Sequence, residues 1–173
     1  MSNYGSMIAA SADLSVAYGE RLLAGVTETH FARLAAVNGK VIESNHPAFI
    51  YGHLSLYAPR VVEQVGGDAS QLQPSEQFFE VFSKDAKCVD DASGTIYPPM
   101  KEVTSCFFTG YRAAADAIRK APDAVLLEEN PNEAMQSRFP TKGAMLNFYL
   151  GGHVMLHIGQ MSAWRRMTGL GPA

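Results

Sequence analysis

Apolar residues recur along most of this chain at intervals of three and four rather than two, the spacing that gathers side chains on one stripe of an α-helix. The period holds from Ile8 to about Ala24, with Leu14, Tyr18 and Leu22 four apart and Gly25 placed to stop the helix. Thr27 can cap a short piece from Glu28 to about Leu34, and Asn38-Gly39 marks a turn in the connector from Ala36 to Ser44. Pro47 suits the first turn of the next helix, where its missing N–H costs nothing. From there the pattern runs through Val65 until Gly66-Gly67 end it.

Between Asp68 and Pro99 the period is lost, apart from a short amphipathic piece after Pro74-Ser75 that carries Phe78, Phe79 and Phe82. A stretch of that length is too long to join two adjacent helices directly and predicts a crossover. Met100, Val103, Phe107, Gly110, Ala114, Ala117 and Ala121 then share one stripe of a helix stopped by Pro122, and its small members permit close helix approach. After a connector rich in Glu, Asn and Pro, from Asp123 to Pro140, Thr141 is a good N-cap for a final helix to Thr168, with Gly169 at its end. No run reads as a convincing strand, and there is no repeat or low-complexity segment. The pattern predicts an all-α protein, a four-helix bundle with a long crossover between its second and third helices, as one domain over residues 1–173.

Composition narrows the function classes. With 173 residues, 47% hydrophobic and 18% charged, the chain can bury a core without disulfide or metal staples. A net charge of −3 and a pI near 5.9 argue against a nucleic-acid partner, which needs clustered Lys and Arg. The one basic cluster, Arg165-Arg166, falls at a helix end, where cations complement the helix dipole. Met1 to Ala10 lacks a signal-peptide pattern and no stretch approaches the roughly 18 apolar residues of a spanning helix, so no membrane partner and a cytoplasmic location are expected. Two cysteines, Cys88 in a polar loop and Cys106 as core filler, suggest neither a disulfide framework nor a Cys-rich zinc site.

The candidate chemistry lies in the last helix. His153 and His157, four residues apart, lie about 40° apart around a helix axis and leave the same face, the spacing at which two imidazoles share one metal ion. The plainer reading is a pair of interior histidines hydrogen-bonded to carbonyls, with Tyr149, Gln160 and Trp164 on the same stripe as a polar lining. A helical zinc-peptidase motif would put Glu after the first His as general base, but Val154 stands there and excludes that reading. A third ligand must come from another element. His53, mid-helix on a stripe with Phe49 and Tyr57, ranks first. His46, before Pro47, ranks second, with partial solvation and a capping role as its plainer job, and His30 on an uncertain short helix ranks third.

Gly52-His53-Leu54 in the second helix, the run from Gly152 to Gln160 in the last, and the following Trp164-Arg165-Arg166 and Gly169-Leu170 resemble the DinB/YfiT-like superfamily in order and separation. The likeness covers nearly the whole chain. It implies a four-helix bundle that holds nickel or zinc through three histidines, one from the second helix and two from the last, here His53, His153 and His157. It also implies two enzymatic branches, metal-dependent hydrolases and transferases that activate a low-molecular-weight thiol, and it implies dimers. The catalytic residues beyond the metal vary between branches, so none carries over.

Three neutral imidazoles leave a coordination position for water or a small-molecule substrate, so the expected site is open and a hydrolase-like metalloenzyme is the first reading. A metal-dependent thiol transferase is the second, and a non-catalytic, stress-related metal- or ligand-binding bundle the third. Gln160, one turn past His157, is a candidate for supporting a ligand or touching substrate. Tyr57 and Tyr149, each four residues from a ligand, are candidates for the same role or for core packing. Asp90, Asp91 and Glu102 read as solvated loop and helix-start acids. Because protons compete for imidazole, acidification is expected to release the metal.

Overall fold

A computed structural model describes residues 3–173, so Met1 and Ser2 of the N-terminal stretch lie outside the described residues. The protein is mostly helical, with 61% helix and 4% strand, as the periodicity predicts. The long elements are α1 (Asn3–Leu22), α3 (Pro47–Ser55), α4 (Ala58–Gln64), α6 (Met100–Lys120) and α9 (Val154–Met167). The remaining helices, none longer than α4, lie between them: α2 (Glu28–Phe31), α5 (Glu76–Phe82), α7 (Asp123–Leu127) and α8 (Lys142–Asn147). No helix among the described residues is long and apolar enough to cross a membrane.

Helix α6 lies against α1 on one side and α3 and α4 on another, while α9 packs on α1 and α3. The stripe on α6 behaves as its spacing predicts: Val103, Phe107, Gly110 and Ala114 are buried. Gly110 is small for a reason, since a Cβ there would sit 2.9 Å from Ala58 Cβ. On α1 the predicted helix forms and Leu22 is buried, but two of its apolar residues face outward. Leu14 is 54% exposed and Tyr18 39%, and the buried face is instead Ile8, Ala9, Ala12, Ser15, Val16, Gly19 and Leu22. Small side chains let α1 approach its neighbours closely, so contact distance decides the buried face where hydrophobicity alone points elsewhere.

Two predicted helices are interrupted. The element expected over 47–65 breaks after Ser55 and restarts at Ala58, because Pro59 supplies no N–H and its ring clashes with the carbonyl four residues back. Tighter bonds, Leu56 N–H to the His53 carbonyl (3.3 Å) and Tyr57 N–H to the Leu54 carbonyl (3.1 Å), close the junction. The final helix does start at Thr141, whose hydroxyl accepts from Ala144 N–H (3.2 Å), and ends before Gly169 (φ +83°). In its middle, however, Phe148–His153 forms a π-helical segment, a wider turn of the kind that recurs at functional sites.

The connectors hold more structure than expected. Ala36–Val37 (β1) and Lys40–Val41 (β2) form a two-stranded hairpin around Asn38 and Gly39, both at positive φ, as a tight hairpin turn requires. Asp91 is buried rather than solvated: its carboxylate accepts from the N–H groups of Thr95, Ile96 and Tyr97 and from the Ser93 hydroxyl. Those bonds outweigh the cost of burial and hold its pKa below the ordinary carboxylate value. Arg165 is also buried, and it does more than complement a dipole. Its guanidinium donates to the carbonyls of Leu22, Ala24, Leu170 and Gly171, tying the end of α1 to the end of α9.

Candidate metal centre

Helix α3 is buried along its whole length, so His53 has no choice but to face protein. Its neighbours fix it. The His53 ring stacks parallel to Phe49 at 6.0 Å, and Nδ1 donates to the Phe82 carbonyl at 2.8 Å. A carbonyl can only accept, so Nδ1 carries the proton and Nε2 keeps its lone pair. Gly52 makes this possible, because a Cβ there would meet the Phe82 ring at 2.4 Å.

His153 closes the π-helical segment and His157 lies in the first turn of α9, on the side facing α3. The three ring centroids are separated by 5.4 Å (His53 to His153), 5.0 Å (His53 to His157) and 4.8 Å (His153 to His157). One nitrogen from each lies within 4.8 Å of those of the others, close enough for the three to bind one metal ion. His157 Nδ1 donates to Gln160 Oε1 at 3.0 Å, and the same oxygen accepts from Asn45 Nδ2 at 3.0 Å. Gln160 therefore supports a candidate ligand, and Asn45 supports Gln160.

How the nitrogens are spent separates a metal centre from ordinary buried histidines. His46 is an ordinary one: Nδ1 accepts from Phe49 N–H at 3.2 Å as the N-cap of α3, and Nε2 donates to the Val89 carbonyl at 2.9 Å. Both nitrogens are used, and the residue is fully buried rather than partly solvated as expected from its place before Pro47. In the triad, Nε2 of His53 and Nε2 of His157 make no hydrogen bond to any described residue, and His153 Nδ1 is buried without a partner. The orphaned, buried Nδ1 of His153 is costly, and a cation shared by the three rings satisfies such a donor set. The residues present fit a metal ion.

No protein-family model, curated protein or solved structure matches the chain.

The electrostatics favour neutral imidazoles. Burial is the main cause that lowers all three pKa values, and it takes His153 to about 3 and His157 to about 4. Mutual repulsion of the ring charges adds to the lowering at His153 and His157. At neutral pH the lone pairs are free without any proton having to leave.

The other candidates divide. Tyr57, at the break between α3 and α4, places its ring 4.5 Å from that of His153 and 5.2 Å from that of His53. Tyr149 lies 5.1 Å from Tyr57 and 6.4 Å from His153, centroid to centroid. Both are half-buried, as are His153 and Phe148, so the cluster opens to the surface through this aromatic rim. A cavity of about 650 Å³, lined by Phe78, Glu102, Cys106 and Thr109, lies elsewhere on α5 and α6 and does not include the histidines. His30 is exposed and bonds Thr27. Asp90 pairs with Arg33, and neither it nor Asp91 reaches the triad. Sequence reasoning missed Asn45 and the Phe82 carbonyl, the first because a side-chain amide before a proline reads as a turn, the second because a backbone atom carries no residue signal.

Proposed function

We propose that the protein is a metalloenzyme whose nickel or zinc ion is held by His53, His153 and His157 and which acts as a hydrolase on a small-molecule substrate. The observation that carries this reading is the contrast in nitrogen use: the buried His46 spends both ring nitrogens on protein, whereas Nε2 of His53, Nε2 of His157 and the buried Nδ1 of His153 have no protein partner in a cluster whose ligand nitrogens lie within 4.8 Å of one another. The donor set is all nitrogen, which suits both ions. Bound there, the ion supplies Lewis acidity that activates water or polarises a substrate oxygen.

The chain's own residues do the rest. The Phe82 carbonyl and Gln160 hold His53 and His157 in the tautomer that presents Nε2, and Asn45 holds Gln160. Tyr57, Tyr149 and Phe148 form an apolar rim where a substrate body can lie out of water. In this reading α1, the α3–α4 pair, α6 and the run from α8 to α9 are the four staves of a DinB-like bundle, with the 68–99 segment as the long crossover. The packing of α6 on α1, α3 and α4, and of α9 on α1 and α3, supports it.

A thiol transferase is the second reading, favoured by the same ligand set, because such an ion also holds a thiol as its thiolate. The test is to strip the protein of metal, reload it with nickel or zinc, and assay it against activated esters, amides and phosphoesters, then against electrophiles with a low-molecular-weight thiol. Metal-dependent turnover without thiol is the expected result. Turnover only with thiol selects the second reading, and full metal content with no turnover in either assay overturns both.

A further inference from the structure

The charges around the triad are unbalanced. The groups that act on the three imidazoles are the imidazoles themselves and Arg60, whose charge lowers His53 and Tyr57. The π-helical segment contributes His153, α9 contributes His157 and the neutral Gln160, and α3 contributes His53. Beyond α5, Lys84 and Asp85 are exposed and paired with each other at 3.2 Å. No carboxylate of a described residue hydrogen-bonds any of the three rings. A divalent ion there would add two positive charges with no carboxylate of a described residue bonded to its ligands to offset them.

Arg60 stands on α4, one residue past Pro59, with its guanidinium carbon 5.4 Å from the centre of the Tyr57 ring. That ring is the one that touches His153 and His53. Most other arginines have protein partners: Arg33 pairs with Asp90, Arg112 with Glu20, Arg119 with Asp13 and Asp116, and Arg165 is given to four carbonyls. Arg60 has no ion pair among the described residues, and it is exposed. Resting on an aromatic face restrains a guanidinium without using its five N–H groups, which remain free to grip an oxyanion through two parallel bonds.

We propose that Arg60 anchors the substrate of the three-histidine site and that this substrate carries an oxyanion, a carboxylate or a phosphoryl group, on an apolar body that lies along Tyr57 and Tyr149. The proposal rests on the metal reading above. Arg60 is a specificity residue in this account, since it recognises charge at the rim while the histidines serve the reacting centre.

The test uses zinc-reloaded protein and three small probes of similar shape: benzoate, phenylphosphonate and the neutral benzamide. Binding is measured by calorimetry, with zinc content determined on each sample, for the wild type, Arg60→Gln and Arg60→Lys. The wild type is expected to prefer at least one anionic probe over benzamide by about tenfold or more, a margin set by charge-assisted hydrogen bonding at an exposed site. The tighter of the two anions identifies the group recognised. Arg60→Gln is expected to lose most of that preference at unchanged zinc content, and Arg60→Lys to restore part of it. An Arg60→Gln protein that keeps the full preference overturns the proposal, as does a zinc-loaded wild type with none. A protein that takes up no zinc overturns the metal reading itself, which the zinc measurement reports separately.

Discussion

Replacing Gly52 by alanine tests whether the packing beneath the site, and not only the histidines, sets metal affinity. The new Cβ would lie 2.4–2.5 Å from three carbons of the Phe82 ring. Carbon atoms in contact prefer about 3.5 Å, so the ring must retreat by about 1 Å. Phe82 is fully buried and hemmed by Phe49, Phe78 and Tyr97, so it has little room to do so. Overpacking of this kind costs about 1–3 kcal/mol, and the better helix propensity of alanine returns about 1 kcal/mol, which leaves a net loss of about 0–2 kcal/mol. At this chain length each kcal/mol moves Tm by about 2–4 °C. The same displacement shifts the Phe82 carbonyl that orients His53, and loss of such a partner typically weakens metal about 10–100-fold. Gly159→Ala is the matched control, because a Cβ there meets nothing within 4 Å. It should raise stability by about 0.5–1 kcal/mol and leave metal affinity unchanged. Thermal melts and competition with a chromophoric chelator measure both quantities. If Gly52→Ala behaves like Gly159→Ala in both assays, the steric argument and the link from Phe82 to His53 are wrong.

Three further outcomes follow from the histidines. His53→Ala should abolish tight metal binding, whereas His46→Ala should leave it nearly intact while costing about 2–4 kcal/mol for the lost N-cap, the unpaired Val89 carbonyl and the cavity; chelator competition and urea melts separate the two, and the reverse ranking would refute the ligand assignment. The metal-free protein should also lose stability on acidification. Burial lowers His46 from 6.5 to about 4, so the unfolded chain takes up the proton first. The contribution is complete above pH 6.5 and falls by about 3 kcal/mol as the pH drops toward 4, and His46→Ala should flatten that part of the profile. Metal occupancy should hold well below pH 6.5 and fail toward the values of about 4 and about 3 at His157 and His153, lower than the reference pKa of histidine suggests. Occupancy lost near pH 6.5 would contradict the buried, neutral triad.

The helix boundaries that were legible in the sequence have local causes. Pro47 and Gly169 act through their own backbone chemistry and Thr141 through its hydroxyl, and the α6 stripe is regular enough to name its buried face. What the sequence hid depends on partners. Leu14 and Tyr18 look like core residues until Ala12, Ser15 and Gly19 are seen to offer a closer approach. The π-helical segment has no residue signature, and the buried N-cap His46 reads like any polar residue before a proline. The candidate site shows the same division. The spacing of His153 and His157 put them on one face, but His53 joined them through its rank among three histidines and a family resemblance. The supports that orient the rings, a backbone carbonyl and an Asn45–Gln160 bond spanning the fold, exist only once α3 and α9 are packed together.

X-ray absorption at the nickel and zinc K edges, on protein purified without chelator, tests the central claim most directly. The expected result is about one ion per chain with imidazole nitrogens at about 2.0–2.1 Å, and loss of that signal in His53→Ala, His153→Ala and His157→Ala. Protein free of metal, or an ion ligated by sulfur, would contradict it.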